Sequence, residues 1–196
     1  MKTLGLTGGI GMGKSMSARF LCEHGAQAVD TDELAHQLVA PGQPALAEIQ
    51  TVFGRNVVAP GGQLRREELA HIVFADPAAR KKLEAILHPR IQERWLAQIE
   101  TWRREDRPLA VVVIPLLFET KTESRFDKTA CVACSEAHRR KRLSERGWTP
   151  EQIRLRIAAQ MPVGEKIGRA DFVIWTEGDF ENHSQQIDRI LACLNR

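Results

Sequence analysis

"LTGGIGMGKS" occupies residues 6–15, and its reading decides the fold. Counted from Gly8 it satisfies G-x-x-x-x-G-K-[ST], with the lysine at position 14 and the serine at 15. Apolar "TLGLT" (3–7) precedes it, and "KSMSARFLCEH" follows with Ala18, Leu21 and Cys22 near helical spacing, stopping at Gly25. The pattern is strand, loop, helix. Backbone N–H groups at such a helix N-terminus wrap an anion, because the unpaired donors and the helix dipole both favour negative charge. Glycines keep side chains out of the way. A tight turn that merely needs positive φ would explain the glycines but not the Lys–Ser ending. Gly8, Gly9, Gly11, Met12, Gly13, Lys14, Ser15 and Met16 therefore read as an ATP cradle. Lys14 would place its ammonium at the β- and γ-phosphates and Ser15 its hydroxyl on Mg²⁺.

Working outward, "AQAVD" (26–30) reads as a second strand and "TDELAHQLVA" as a helix that Pro41 and Gly42 end, giving a parallel βαβ unit. Residues 43–105 are helical and strand-poor. Leu46, Ile49 and Phe53 line one face, "REELAHIVF" follows a turn, and Asp76 caps a helix with Pro77 in first position. Beyond His88 and Pro89 a separate, longer helix is expected to bury Ile91, Trp95, Ile99 and Trp102. Strand character returns at 109–116, in an apolar run suited to burial on both faces, then at 129–133 and in "FVIWT" (172–176). Between the last two lie the basic helix "EAHRRKRLSERG" and "TPEQ" (149–152), a capping box with Pro at the first helical position. Ile187, Ile190, Leu191 and Leu194 mark a final amphipathic helix.

The composition excludes several classes. With 196 residues, 43% hydrophobic and 27% charged, the chain is an ordinary globular domain rather than a disordered or disulfide-stapled one. "LAVVVIPLLF" (109–118) is half the length needed to cross a bilayer and reads as a buried strand, and "MKTLGLTGG" carries no apolar leader, so a cytoplasmic location is expected without a membrane partner. Four cysteines suit a reducing compartment, and "CVAC" (131–134), lacking a second Cys/His pair, reads as apolar residues in or beside a strand. A net charge of +3 permits an anionic substrate without calling for nucleic acid.

No N-K-x-D motif is present to read guanine, and the third strand, "VVVIPLLFE", carries no internal Asp of the Walker B kind. A small-molecule kinase leads. Asp32 lies just past a strand end, where ligands of open α/β sheets collect; it reads equally as a base for an acceptor hydroxyl or as a helix cap. Arg139, Arg142 and Arg146 recur at helical spacing, as a solvated face or as a lid closing on phosphates. No aromatic interleaving favours nucleic acid. A kinase of another small hydroxyl or nucleoside monophosphate, and a regulatory or nucleic-acid-binding protein, remain as alternatives.

The ordered set "LTGGIGMGKS", Asp32, "FG" (53–54), Arg66, "LHPRI" (87–91), "PLLFE" (115–119), Arg142, Arg146, Gln160 and "ADFVI" (170–174) resembles the dephospho-CoA kinase family over residues 3 to about 178. The resemblance implies an α/β three-layer P-loop NTPase fold with a five-stranded parallel sheet: a core of about 1–42, 106–135 and 169–196, a helical substrate insertion of about 43–105 and a lid of about 136–168. It implies transfer of the ATP γ-phosphoryl group to the ribose 3′-hydroxyl of dephospho-CoA. Lys14, Asp32 as base, and Arg142 would carry catalysis. Arg142 and Arg146 would also bind ATP, and Thr7, Asp32, Arg66, His88 and Leu116 would contact the acceptor, although His88 reads equally as a structural residue. Three positions depart from the family pattern. Met12 stands where Ser is common, Thr176 replaces a usual Asn, and Lys166 keeps a positive charge without arginine's fork. Oligomeric state is not legible.

Overall fold

The N-terminal strand–loop–helix is β1 (Lys2–Gly8), a glycine loop and α1 (Lys14–Glu23) in a computed structural model that describes residues 1–194. The chain continues through β2 (Gln27–Asp30), α2 (Thr31–Leu38), α3 (Pro44–Phe53), α4 (Arg66–Ala75), α5 (Pro77–Arg104), β3 (Leu109–Val113), β4 (Lys128–Ala133), α6 (Glu136–Glu145), α7 (Pro150–Ala158), α8 (Val163–Arg169), β5 (Phe172–Trp175) and α9 (Phe180–Leu194). It divides into two compact units, one of Met1–Asp30 with the chain from Glu100 onward, the other Thr31–Ile99.

The first unit is built on a five-stranded parallel sheet of order β2-β3-β1-β4-β5. β3 is buried along its whole length, as a strand covered on both faces requires. Alternation along the strands sends Leu4, Leu6, Val111, Val113, Val132 and Ile174 to one face, where Phe20 and Leu21 of α1 and Ile187, Ile190 and Leu194 of α9 cover them. Cys131 points the other way, towards α8, which packs on β1 and β4. Cys131 and Cys134 are buried free thiols, and burial pushes the Cys131 thiol up to about 11. The order puts β1 at the centre of the sheet, so the glycine loop leaves from the middle of its carboxyl edge.

The second unit is helical. Leu38, Val39, Ala45, Ile49, Val57, Leu69, Val73 and Ile86 form its core. It begins at Thr31, so α2, placed with the core from sequence, groups with these helices. The break expected at His88–Pro89 is absent: α5 runs unbroken over 28 residues with Pro89 inside it. Proline denies the Ala85 carbonyl its helical donor, but continuous apolar packing on either side outweighs one lost bond. The next residue, Arg90, adds a side-chain donor to the Ile86 carbonyl at 2.5 Å and ties it to Glu48 of α3 at 2.7 Å. As read from sequence, Asp76 caps α5, accepting from the Ala78 N–H at 2.8 Å.

Candidate active site

The carbonyls of the loop after β1 are bonded by side chains. Gly8 and Gly13 have φ of 144° and 95°, conformations that only glycine adopts without strain. Lys14 donates to the Gly8 and Gly9 carbonyls at 2.9 and 3.1 Å. Arg139 of α6 donates through Nε to the Ile10 carbonyl at 3.0 Å, and Thr176, just after β5, donates to that of Met12 at 2.9 Å. The Gly13 carbonyl accepts from the N–H groups of Met16 and Ser17 as α1 begins. These bonds fix the loop as it enters the N-terminus of α1, the end of a helix that favours an anion. Ser15 stands exposed in the first turn of α1.

Two further elements brace this loop. Arg142 of α6 spans to Thr176, its Nη1 to the hydroxyl at 2.8 Å and its Nη2 to the carbonyl at 2.6 Å. Thr176, where the family pattern has Asn, is thus the buried junction of loop, α6 and β5. His183 of α9 meets the Ser17 hydroxyl at 2.9 Å; burial lowers its pKa and the nearby Arg142 charge adds to the effect. Arg146 is exposed at the C-cap of α6.

Beside the loop, the segment after β3 is held by a buried cation. Lys166 of α8 is wholly enclosed, donating to the Pro115 carbonyl at 2.5 Å and pairing with Glu119 at 2.8 Å. Thr7 is also buried and donates to Pro115 at 3.3 Å, which brings Thr7 and half-buried Leu116 together at the ends of β1 and β3. Lys166 fits without a fork because its two acceptors sit apart, on a carbonyl and a carboxylate, and a point charge with several donors serves both.

The structure therefore assembles Thr7, Gly8 to Met16, Leu116 and Arg142 in the first unit. Asp32, Arg66 and His88 lie in the second. Asp32 is exposed in the first turn of α2, two residues past Asp30, which pairs with Val113 at the end of the sheet. Arg66 is exposed at the first position of α4 and edges an apolar hollow of about 170 Å³ lined also by His36, Val39, Leu69, Val73 and Leu87. His88 is half-buried inside α5, and burial lowers its pKa against an opposing push from Glu84.

A family model of dephospho-CoA kinase matches residues 2–182. The chain belongs to the dephospho-CoA kinase family. It is 43% identical over 197 residues to the dephospho-CoA kinase of Leifsonia xyli subsp. xyli, covering 99% of both chains. With that of Bdellovibrio bacteriovorus it shares 38% over 194 residues, covering 99% of this chain and 96% of the relative. A crystal structure from Thermus thermophilus superposes with a TM-score of 0.84 at 34% identity, covering 98% of this chain and 97% of that one. Sequence reading placed Arg139 on a solvated face or a phosphate lid, whereas it is buried against the Ile10 carbonyl, and it gave no role to Gln160 or Glu119 of this kinase. Arg139 carried the one usable signal, its place three residues before Arg142 on the same helix, whereas the contacts of Gln160 and Glu119 join segments far apart in the chain.

Proposed function

We propose that the chain transfers the γ-phosphoryl group of MgATP to the ribose 3′-hydroxyl of dephospho-CoA, giving coenzyme A and ADP, the last step of coenzyme A biosynthesis. The observation that carries this reading is the glycine loop, its carbonyls held by Lys14, Arg139 and Thr176, running directly into the N-terminus of α1, within a chain of this family.

Gly8, Gly9, Gly11, Met12, Gly13 and Met16 supply backbone around the phosphates. Lys14 exchanges its two carbonyl partners for the β- and γ-phosphates, where charge develops during transfer. Arg142 and Arg146 add positive charge from α6. Asp32 accepts the proton of the 3′-hydroxyl as its oxygen bonds to the γ-phosphorus and the bond to the β–γ bridging oxygen breaks. Thr7, Arg66, His88 and Leu116 contact the acceptor. Among the described residues no group of three or more His, Cys, Asp or Glu could hold a metal. Ser15 would be a protein ligand of the Mg²⁺ that accompanies ATP, an ion that keeps waters and uses substrate phosphates. When bound it neutralises charge between the β- and γ-phosphates.

No helix among the described residues is long and apolar enough to cross a membrane. The deciding experiment measures ADP release with a panel of acceptors. Stimulation by dephospho-CoA alone is the expected result. Stimulation by another hydroxyl or a nucleoside monophosphate instead would replace the acceptor, and stimulation only by nucleic acid would overturn the reading.

A further inference from the structure

We propose that Arg139 and Gln160 are positioning residues for the phosphate loop: they hold Ile10 by both its backbone groups and so fix the peptide planes on either side. The proposal rests on the reading of this loop as the ATP site. The Ile10 N–H donates to Gln160 Oε1 at 2.9 Å, and its carbonyl accepts from Arg139 Nε at 3.0 Å. Rotation of either plane breaks one of these bonds, and rotation of the plane between Ile10 and Gly11 frees the Ile10 carbonyl from Arg139, an unpaired oxygen that an anion site cannot tolerate nearby.

Arg139 is only 5% exposed, although it lies in a strongly basic helix whose Arg140 and Lys141 are open to water. Burial works against its charge, and the carboxylate of Glu136, 3.5 Å away and half-exposed, offsets this only in part. An apolar side chain would fill the position without that cost. A buried guanidinium there forms a charge-assisted bond to the loop carbonyl, stronger than a neutral donor makes. The loop is shaped to it: a Cβ on Gly9 would come within 2.9 Å of Arg139 Nη2, and one on Gly11 equally close to Leu143, one turn further along α6. Gln160 is fixed in turn through its neighbour. The Met161 N–H donates to Glu119 at 2.8 Å, and Glu119 is paired with buried Lys166. Helix α6 on one side and the α7–α8 link on the other thus set the loop.

The test compares MgADP binding by calorimetry with steady-state kinetics. Arg139→Met keeps the stem and removes the donors. MgADP Kd and ATP KM should rise about tenfold, the KM for dephospho-CoA should change by less than about twofold, and Arg139→Lys should recover most of the nucleotide affinity. Unchanged MgADP binding, or equal loss in both KM values, would mean a structural role only and overturn the proposal. If Arg139→Met does not fold by circular dichroism, Gln160→Met, at a half-buried position, carries the same measurements with the same expectations. A wild-type chain that binds no MgADP would sink the ATP-site reading itself, a result distinct from variants that bind as well as wild type.

Discussion

Arg142 grips Thr176 at two points, the hydroxyl at 2.8 Å and the carbonyl at 2.6 Å, while the same hydroxyl donates to the Met12 carbonyl at 2.9 Å. Thr176→Val swaps that hydroxyl for a methyl of similar volume, leaving the Met12 carbonyl and one guanidinium N–H short of a partner in a buried site. A loss of about 1–3 kcal/mol is expected, lowering the melting temperature by about 2–4 °C per kcal/mol. Thr176→Ser keeps the oxygen and should recover most of it. Thermal unfolding of the pair decides the matter, and equal loss in both would show that the methyl group, not the hydroxyl, holds the junction.

Lys14→Ala removes the ammonium that bridges the Gly8 and Gly9 carbonyls. Those bonds are local and half-exposed, so the fold should survive with a shift of a few degrees at most. Loss of preorganised charge at the transferring group should cost about 10²–10³ in kcat or more. A variant whose ADP release stays within about tenfold of wild type would remove Lys14 from transition-state stabilisation.

Asp32 lies exposed at the start of α2, where replacing a carboxylate by an amide changes little in packing. Asp32→Asn should lower kcat by about 10²–10⁴ while leaving MgADP affinity within about twofold, the split expected of a base that acts on the acceptor. Near-normal turnover would return Asp32 to the role of helix cap.

The glycine loop, the strands and the capped helices were legible because each is a local pattern: Thr149 and Gln152 form their capping box as "TPEQ" implies, and β3 is as buried as its β-branched run demands. Pro89 misled because a proline is a local breaker and the packing that overrides it is not local. Helix α8 was missed for a related reason. Gly164 and Gly168 depress its propensity, and the contacts that hold it, the enclosed Lys166 on Glu119 and Pro115 and Arg169 on Glu123, are made with a distant segment. The roles of Thr176, Arg139 and Gln160 depend on contacts to residues over a hundred positions away, which no spacing rule reaches.

Two glycines separate conformational need from mere tolerance. Gly8 has φ of 144°, and a Cβ there would run into the Val132 carbonyl oxygen on β4. Gly8→Ala combines backbone strain with overpacking against backbone that cannot give, so a loss of at least about 3 kcal/mol is expected. Gly164 lies within α8, and a Cβ there meets nothing within 4 Å. Gly164→Ala should therefore stabilise by up to about 1 kcal/mol through helix propensity. Urea unfolding of both variants checks the contrast, and a Gly8→Ala protein as stable as wild type would contradict the loop geometry.

His183 gives the protein an acid-sensitive joint beneath the phosphate loop. Its ring meets Ser17 at 2.9 Å, and both burial and the nearby Arg142 charge lower its pKa from 6.5. A histidine depressed in the folded state takes up its proton first in the unfolded chain, so the stability it contributes is present above about pH 6.5 and is lost as pH falls below that value. His88, also lowered by burial, acts in the same window with the same sign. Asp127 and Asp171 follow lower down. Partial burial alone would raise their pKa values, but hydrogen bonds from Thr3 to one and from Lys128 and Thr129 to the other outweigh it, so their contribution is lost only below about pH 4. The unfolding free energy should accordingly fall between pH 7 and pH 5, and His183→Gln, which can still bond Ser17 but cannot titrate, should show a shallower slope over that interval. Urea denaturation across the series measures both curves, and identical slopes would mean that His183 does not sense acid.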